Sequence, residues 1–234
     1  AASRLMFNQG SVQNALRVRA EAGTVEIAVP VRQAKGTYTQ VWEIVTGAHV
    51  KTAAIHDGST ILLRLGSSPD TSGTLELGGS ADNDGLYPFV MYGTLILNKA
   101  SSSASSCGNL YVGPGGTAKF GANRTTRGMG QIYRNAAIDG VLDLNGQICD
   151  KPFSNSVCDA GLNVVNSSVT TAVMRGFFSL TSAPRHLYLG GTNDLGDIAV
   201  TNAMLVQNGC RIVKAGRKSN CPGPTPTRFG SAPG

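Results

Sequence analysis

Six short segments share one pattern, a glycine followed by two apolar residues with one residue between them. They read GTLELG at 73–78, GTLILN at 93–98, GNLYVG at 108–113, GTAKFG at 116–121, GVLDLN at 140–145 and GLNVVN at 161–166. Their starts are unevenly spaced, and the shortest interval separates Gly108 from Gly116. Each segment fits one short β-strand, and the alternation puts its apolar pair on a single face. The closing Gly or Asn is predicted to take the positive φ of a sharp corner.

A strand of this length cannot bury its apolar face alone, but the same strand stacked coil upon coil can. A return every ~20 residues is typical of a β-solenoid. A β-sandwich also uses short strands between turns, but it does not need Gly or Asn at the same place in each unit. We therefore predict one all-β solenoid over 1–221, most regular over 73–168. The predicted inward residues are Leu75, Leu77, Leu95, Leu97, Leu110, Val112, Ala118, Phe120, Leu142, Leu144 and Val164.

The outward positions of these strands do not suggest catalysis. Glycoside hydrolysis needs two carboxylates ~5–9 Å apart, and no two acids fall on neighbouring coils of the predicted ladder. Asp139 and Asp143 are four positions apart, which is ~13 Å along a strand. We assign no catalytic residue and predict that the protein is not an enzyme. The predicted outward face carries Glu76, Ile96, Tyr111, Lys119, Asp143 and Asn163.

Three further motifs are too incomplete to indicate a metal or cofactor site. Residues 82–85, DNDG, resemble part of a calcium loop but lack its distal glutamate, so a plain Asn/Asp turn is the favoured interpretation. His49 and His56 have no serine nucleophile elbow nearby. Residues 113–116, GPGG, lack the Lys and Ser/Thr of a phosphate-binding loop. We predict no cofactor and no metal.

The composition agrees with short strands and many turns. The 234 residues are 41% hydrophobic and only 15% charged, with 30 glycines. The net charge of +6 could attract an anionic polymer. The basic residues are nevertheless scattered, and no aromatic residues are interleaved with them along the sequence. Nucleic-acid binding is therefore not predicted.

Residues 1–65 keep the alternation of strands with less regularity. Val18 and Ala20 alternate with polar residues, and so do Gln40, Trp42 and Ile44. Trp42, the single tryptophan, is predicted to lie in the core or at an end cap, and a sugar-binding platform is the alternative.

The cysteines and the N-terminus favour an oxidising compartment. The chain begins Ala1-Ala2-Ser3, as after cleavage of a signal peptide beside small residues, and no stretch reaches the ~20 apolar residues of a membrane helix. Zinc-type spacings are absent. We predict two loop disulfides, Cys149–Cys158 and Cys210–Cys221, with Cys107 buried or bound to another chain. Asn123 and Asn166 match the pattern of N-glycosylation acceptors.

Residues 73–168 resemble the autotransporter-associated β-strand repeats of bacterial surface and secreted proteins. The resemblance rests on GTLELGGSADNDGLYPFVMYGTLILNKASS, GNLYVGPGGTAKFGANRT, IDGVLDLNGQ and NVVNSS, and it extends more loosely to Lys214. It implies a right-handed parallel β-helix, secretion, and a structural or adhesive passenger role. The cysteines, and the loops ICDKPFSNSVCD and RKSNCPGPTPTRF, depart from that family. The chain could therefore be a released passenger fragment or a free-standing subunit.

The two ends of the chain predict self-assembly. Both terminal segments, AASRLMFNQGSVQNALRV and AMLVQNGCRIV, look like apolar strands rather than polar caps, and uncapped coil ends promote stacking. The Pro/Gly-rich tail, 222–234, is predicted to lie extended along a neighbouring chain, with Arg228 and Phe229 as its anchors. We thus expect a secreted, self-assembling structural subunit, a homo-oligomer or homopolymer that could also contact surface glycans. A carbohydrate-binding or polysaccharide-degrading β-helix, or an adhesin passenger, is the alternative.

Overall fold

The computed structural model is built from β-strands stacked in parallel. It describes residues 5–9, 16–28, 39–52, 61–80, 82–99, 105–121, 136–149, 153–154, 162–175, 178–180, 186–190, 195–201, 204–206 and 211–214. Within these ranges there is no α-helix, and Pro69–Thr71 forms a single 3-10 turn. The strands are β1 Leu5–Gln9, β2 Leu16–Ala20, β3 Thr24–Ile27, β4 Thr39–Thr52, β5 Ile61–Leu65, β6 Ser72–Leu77, β7 Leu86–Leu97, β8 Leu110–Phe120, β9 Ala136–Ile138, β10 Val141–Asp143, β11 Ile148–Cys149, β12 Phe153–Ser154, β13 Leu162–Val165, β14 Ala172–Met174, β15 Phe178–Leu180, β16 His186–Leu189, β17 Ile198–Val200, β18 Met204–Val206 and β19 Arg211–Lys214.

One stack of parallel strands, the first stack, contains β2, residues 39–44 of β4, β5, residues 86–90 of β7, residues 110–112 of β8, and β9. Its inward side chains align rung to rung and are almost completely buried. This inward row runs Val18, Trp42, Leu65, Val90, Val112 and Ile138.

The second stack contains β3, residues 49–52 of β4, β6, residues 94–97 of β7, residues 117–120 of β8, β10, β13, β16 and β19. Each coil contributes one strand to the second stack, from the N-terminal part of the described chain to its C-terminal end. The repeat thus extends beyond the regular region that the sequence predicts. The aligned positions are Val25, Val50, Leu75, Leu95, Ala118, Leu142, Val164, Leu189 and Lys214.

The strands β4, β7 and β8 each pass through a corner and contribute to both stacks. This explains the irregular spacing of the six segments. Gly93 pairs with Gly116 on the next coil, whereas the segment at 108–113 lies in the first stack. The interval from Gly93 to Gly108 and the short one from Gly108 to Gly116 therefore add up to one coil, and GPGG at 113–116 is the corner between the stacks.

The opening glycines are required at this corner because the coils approach closely there. A Cβ on Gly93 would lie 2.4 Å from the carbonyl oxygen of Gly73, and one on Gly140 would lie 2.4 Å from that of Gly116. Gly93 also has a φ of +84°, which side chains rarely adopt. At both positions there is therefore no room for a side chain, so the residue must be glycine.

The prediction for the closing residues is largely wrong. Among the non-glycine residues described, Asn145 alone has a positive φ, of 48°. The asparagines instead connect coils through their side-chain amides. Asn98 Nδ2 donates to Glu76 Oε1 at 2.7 Å, and Asn145 Nδ2 donates to the carbonyl oxygen of Phe120 at 2.9 Å.

The C-terminal coils add two three-stranded parallel sheets, β11–β14–β17 and β12–β15–β18. At the N-terminal end, β1 pairs antiparallel with β2 and forms the edge of the first stack. The strand-like character predicted for both ends is confirmed where the structure describes them.

The predicted core is confirmed. Every predicted inward residue is at most 2% exposed, and Trp42 is fully buried, with its Nε1 donating to Gln40 Oε1 at 3.0 Å. Trp42 is therefore a core residue, and the alternative of a sugar platform at this position is wrong. The β-solenoid prediction is confirmed as well.

Candidate functional site

The outward row of the second stack alternates in charge. Across successive coils it runs Glu26, Lys51, Glu76, Ile96, Lys119, Asp143 and Val165. These residues share one face because side chains alternate with a period of two along each strand, so aligned residues of neighbouring coils point to the same side. Two predicted members of this row belong elsewhere: Asn163 pairs with Val141 in the neighbouring outward row, and Tyr111 lies in the first stack.

Glu76 is the centre of a polar cluster that spans three coils. Its Oε2 lies 3.1 Å from His49 Nε2 and 3.9 Å from Lys51 Nζ on the preceding coil. Its Oε1 accepts from Asn98 Nδ2. The Glu76 side chain is only 16% exposed, so these three neighbours replace most of its water. The carboxylate therefore links neighbouring coils.

Asp143 forms a similar cluster, although it lies on the outward row and is 5% exposed. Its Oδ1 accepts from the backbone amides of Asn145 and Ser167 at 2.9 and 3.0 Å. Its Oδ2 accepts from Ser167 Oγ at 2.5 Å and lies 3.4 Å from Lys119 Nζ. Sequence reasoning placed Asp143 on the surface; the turn at 166–168 folds over it and buries it.

The Ser167 hydroxyl and the Lys119 amine are 2.9 Å apart, the distance of a serine–lysine nucleophile pair. The hydroxyl, however, donates to Asp143, and the ammonium of Lys119 is held by the same carboxylate. The serine proton is thus already directed to Asp143 Oδ2, and Lys119 Nζ donates to Ser167 Oγ rather than accepting from it. The cluster of Lys119, Asp143 and Ser167 therefore holds neighbouring coils together.

The DNDG motif forms a turn that packs against residues 105–108. Asp82 Oδ1 accepts from the backbone amide and the hydroxyl of Ser105, and Asn83 N donates to the carbonyl oxygen of Ser105 at 3.1 Å. Lys99 is fully buried near Asp82. Burial lowers the pKa of Lys99 from 10.5 to about 8, while Asp82 opposes this shift. No group of three metal-ligating side chains occurs within the described ranges, and the turn interpretation fits these contacts better than a calcium loop.

Asn166 is fully buried and bonds to three successive coils. Its Oδ1 accepts from Gly146 N at 2.8 Å and Ser168 N at 3.1 Å, and its Nδ2 donates to the carbonyl oxygens of Thr170 and Asp197, both at 2.8 Å. A glycan would be attached to this same nitrogen. A glycan on Asn166 would therefore have to displace these buried hydrogen bonds of the folded corner. Asn123 lies outside the described residues.

The predicted disulfide and assembly residues are mostly outside the described ranges. Cys149 is buried in β11, aligned with Met174 of β14, and Cys107 is buried as predicted. The two cysteines in the described part of the chain are not joined to each other. Cys158, Cys210, Cys221, Arg228 and Phe229, with the rest of the tail, fall in stretches that the structure does not describe.

The outward side of the first stack carries basic and aromatic residues that sequence reasoning did not bring together. Its row runs Arg17, Val41, Arg64, Phe89, Tyr111 and Ala137. The members come from segments that lie a full coil apart in sequence, only one of which belongs to the six repeats. The register between the less regular strands β2, β4, β5 and β7 brings these residues together, and the sequence pattern does not reveal that register.

Comparison with known proteins gives no relative from which to infer a function. No protein-family model, no curated protein and no solved structure matches the chain. In the described part of the chain, no helix is long and apolar enough to cross a membrane.

Proposed function

We propose that the protein is a secreted, non-enzymatic structural subunit that assembles into an extracellular filament or surface layer. One observation carries this proposal: the charged side chains on the outward row of the second stack contact one another between coils. Lys51 and Glu76 form one such contact, and Lys119 and Asp143 form the other. Catalytic carboxylates on such a face would need to meet a substrate, whereas these hold a rigid rod together.

The resemblance of residues 73–168 to autotransporter-associated repeats supports a location on or outside the cell surface. In those proteins the solenoid is a passenger that is exposed outside the cell. A surface role also fits a chain in which 15% of residues are charged and polar contacts are mostly made between coils.

Assembly is proposed to occur through the ends of the rod. Within the described residues, β19 pairs only with β16, so its other edge is not covered by a described strand. Arg211, Ile212 and Lys214 on β19 are exposed, Ile212 by 39%. A strand edge with free backbone groups and an exposed isoleucine can pair with the end of another molecule.

The test is the sedimentation and negative-stain appearance of the purified chain as its concentration increases. Ile212→Lys places a charge at the proposed end contact and should reduce assembly. Val169→Lys is the matched control, because Val169 is 81% exposed at a corner of a coil and should assemble like the unmodified chain. A monodisperse monomer at every concentration would overturn the assembly proposal.

Two further experiments address the tail and the absence of catalysis. Deletion of 222–234 should abolish assembly if Arg228 and Phe229 dock on a neighbouring chain; unchanged assembly would show that the tail is not the contact.

Incubation with pectin, alginate and chitin should yield no new reducing ends or unsaturated products. The appearance of either product would replace the structural role with that of a polysaccharide-degrading enzyme.

A further inference from the structure

The outward row of the first stack combines cationic and aromatic side chains on four of its rungs. Arg64 lies between Val41 and Phe89, and Phe89 lies beside Tyr111 on the next coil. Neighbouring rungs are ~4.8 Å apart. Arg17 lies two rungs from Arg64, so the row from Arg17 to Tyr111 spans ~19 Å. We call these four residues, Arg17, Arg64, Phe89 and Tyr111, the aromatic row.

The two arginines of the aromatic row are exposed cations with no described acidic partner. Arg19, on the same strand as Arg17, lies 3.5 Å from Glu21 and 3.6 Å from Glu43. In contrast, Arg17 and Arg64 form no ion pair with any residue of the described ranges. A guanidinium that is not neutralised by its own protein can bind an external carboxylate through two parallel hydrogen bonds.

The aromatic pair presents an apolar surface beside these charges. Phe89 is 39% exposed, and its ring centroid lies 5.8 Å from that of Tyr111 with 45° between the ring planes. The Tyr111 hydroxyl donates to Asp139 Oδ2 at 3.0 Å, which fixes the ring and sets a carboxylate at the end of the row. Among the described residues, Phe89 is the one aromatic side chain found among the exposed large hydrophobic residues, and large aromatic side chains dominate the energetics of binding surfaces.

We propose that the aromatic row binds an acidic polysaccharide, one whose sugars carry carboxylate groups. Arg64, with Arg17 further along, pairs with the carboxylates, and the Phe89 ring packs against the C–H face of a sugar. The Tyr111–Asp139 pair lies where sugar hydroxyls would follow. This function goes beyond the proposed structural role and does not depend on assembly.

The geometry favours a glycan over a single-stranded nucleic acid. Successive bases stack on aromatic rings that present parallel faces, whereas Phe89 and Tyr111 are tilted by 45°. The Asp139 carboxylate beside Tyr111 would repel phosphates and sugar carboxylates alike, so the anionic groups of the glycan are expected at the arginine end of the row and its hydroxyl groups at the Tyr111 end.

The experiment is calorimetric titration of the full chain with a galacturonic acid hexamer, with a neutral glucose hexamer and a thymidine hexanucleotide as comparison ligands. The acidic sugar should bind more tightly than both others, and added salt should weaken it. Arg64→Gln and Phe89→Ala should each raise Kd about ten-fold, because each removes one strong contact.

Phe89→Tyr should retain binding, since it keeps the ring, and Arg175→Gln is the matched control for loss of an exposed arginine outside the row and outside β19. Circular dichroism establishes that each variant is folded. Equal Kd values for the unmodified chain, Arg64→Gln and Phe89→Ala would overturn the proposal. It would also be overturned if the hexanucleotide bound more tightly than the acidic sugar, or if none of the three ligands bound.

Discussion

Asn166 and Asp197 lie on successive coils, and the side-chain amide of the first donates to the backbone carbonyl oxygen of the second at 2.8 Å. The same amide group also bonds to Gly146 on the preceding coil. One buried side chain thus fixes the separation of three coils where the chain turns. Polar groups buried in this way are stabilising only while all their partners are present.

We predict that Asn166→Ala lowers the free energy of unfolding by roughly 2–4 kcal/mol, because a fully buried side chain and its four hydrogen bonds are lost, while the partner residues are half-buried or exposed and regain water only in part. Urea denaturation followed by circular dichroism measures the change. Asn163→Ala is the control: Asn163 is only half-buried on the outward side of β13 and should cost less than ~1 kcal/mol. Equal effects of the two substitutions would refute the role of the corner.

Gly93→Ala should destabilise the protein by ~3 kcal/mol or more, or prevent folding. The added Cβ would meet the Gly73 carbonyl oxygen at 2.4 Å in a residue with a φ of +84°, and the two penalties add. Gly78→Ala provides the comparison, since its nearest neighbour would be the Thr52 carbonyl oxygen at 3.5 Å. The melting temperature of Gly78→Ala should stay near that of the unmodified chain.

Leu95→Ala should cost ~2–5 kcal/mol, as expected for a fully buried leucine whose removal leaves a cavity. Ile96 is next in sequence, of similar size, and points outward on the charged row. Ile96→Ala should therefore cost clearly less. A melting temperature that is unchanged in Leu95→Ala would mean that the inward face has been wrongly assigned.

The inward face could be predicted from the sequence because a strand has a period of two, and a buried face is apolar whatever the coil length. The two-stack arrangement could not be predicted in this way. Glycines 108 and 116 look alike in sequence, yet the first precedes a strand of the first stack and the second lies at the corner. Only the register of β7 with β8 distinguishes them.

The candidate sites were harder to predict for the same physical reason. The sequence pattern predicts Glu76 and Asp143 as outward acids, but the contacts that make them structural come from Asn98 and from the turn at Ser167, 22 and 24 residues away. Arg64, Phe89 and Tyr111 are likewise separated along the chain and adjacent in space. Which residues meet on neighbouring coils depends on the number of residues in each coil, and that number varies along the chain.

The predicted disulfides, Cys149–Cys158 and Cys210–Cys221, should be recovered as two cross-linked peptides by mass spectrometry under non-reducing conditions. Each closes a loop of about ten residues and should contribute on the order of 2–3 kcal/mol. Reduction should therefore lower the melting temperature. Recovery of all five cysteines as thiols would contradict both the pairing and the secreted location.

Lys99 should make the stability of the protein depend on pH between about 8 and 10.5. Burial lowers its pKa to about 8 in the folded protein, against 10.5 for the ordinary side chain. Below pH 8 both states hold the proton, and the folded state bears the full cost of a buried charge. Between the two pKa values the folded state releases the proton while the unfolded state keeps it, so the free energy of unfolding rises with pH.

The measurement compares urea denaturation of the unmodified chain and of Lys99→Met at intervals from pH 7 to pH 10.5. Lys99→Met removes the titrating group and keeps a long apolar side chain, so the difference in stability between the two proteins should shift in favour of the unmodified chain as the pH rises. Ile96→Met is the control, because it introduces the same side chain without removing a titrating group, so its difference in stability from the unmodified chain should be constant over this range. If the Lys99→Met difference is equally constant, the amine of Lys99 does not titrate near pH 8 in the folded protein.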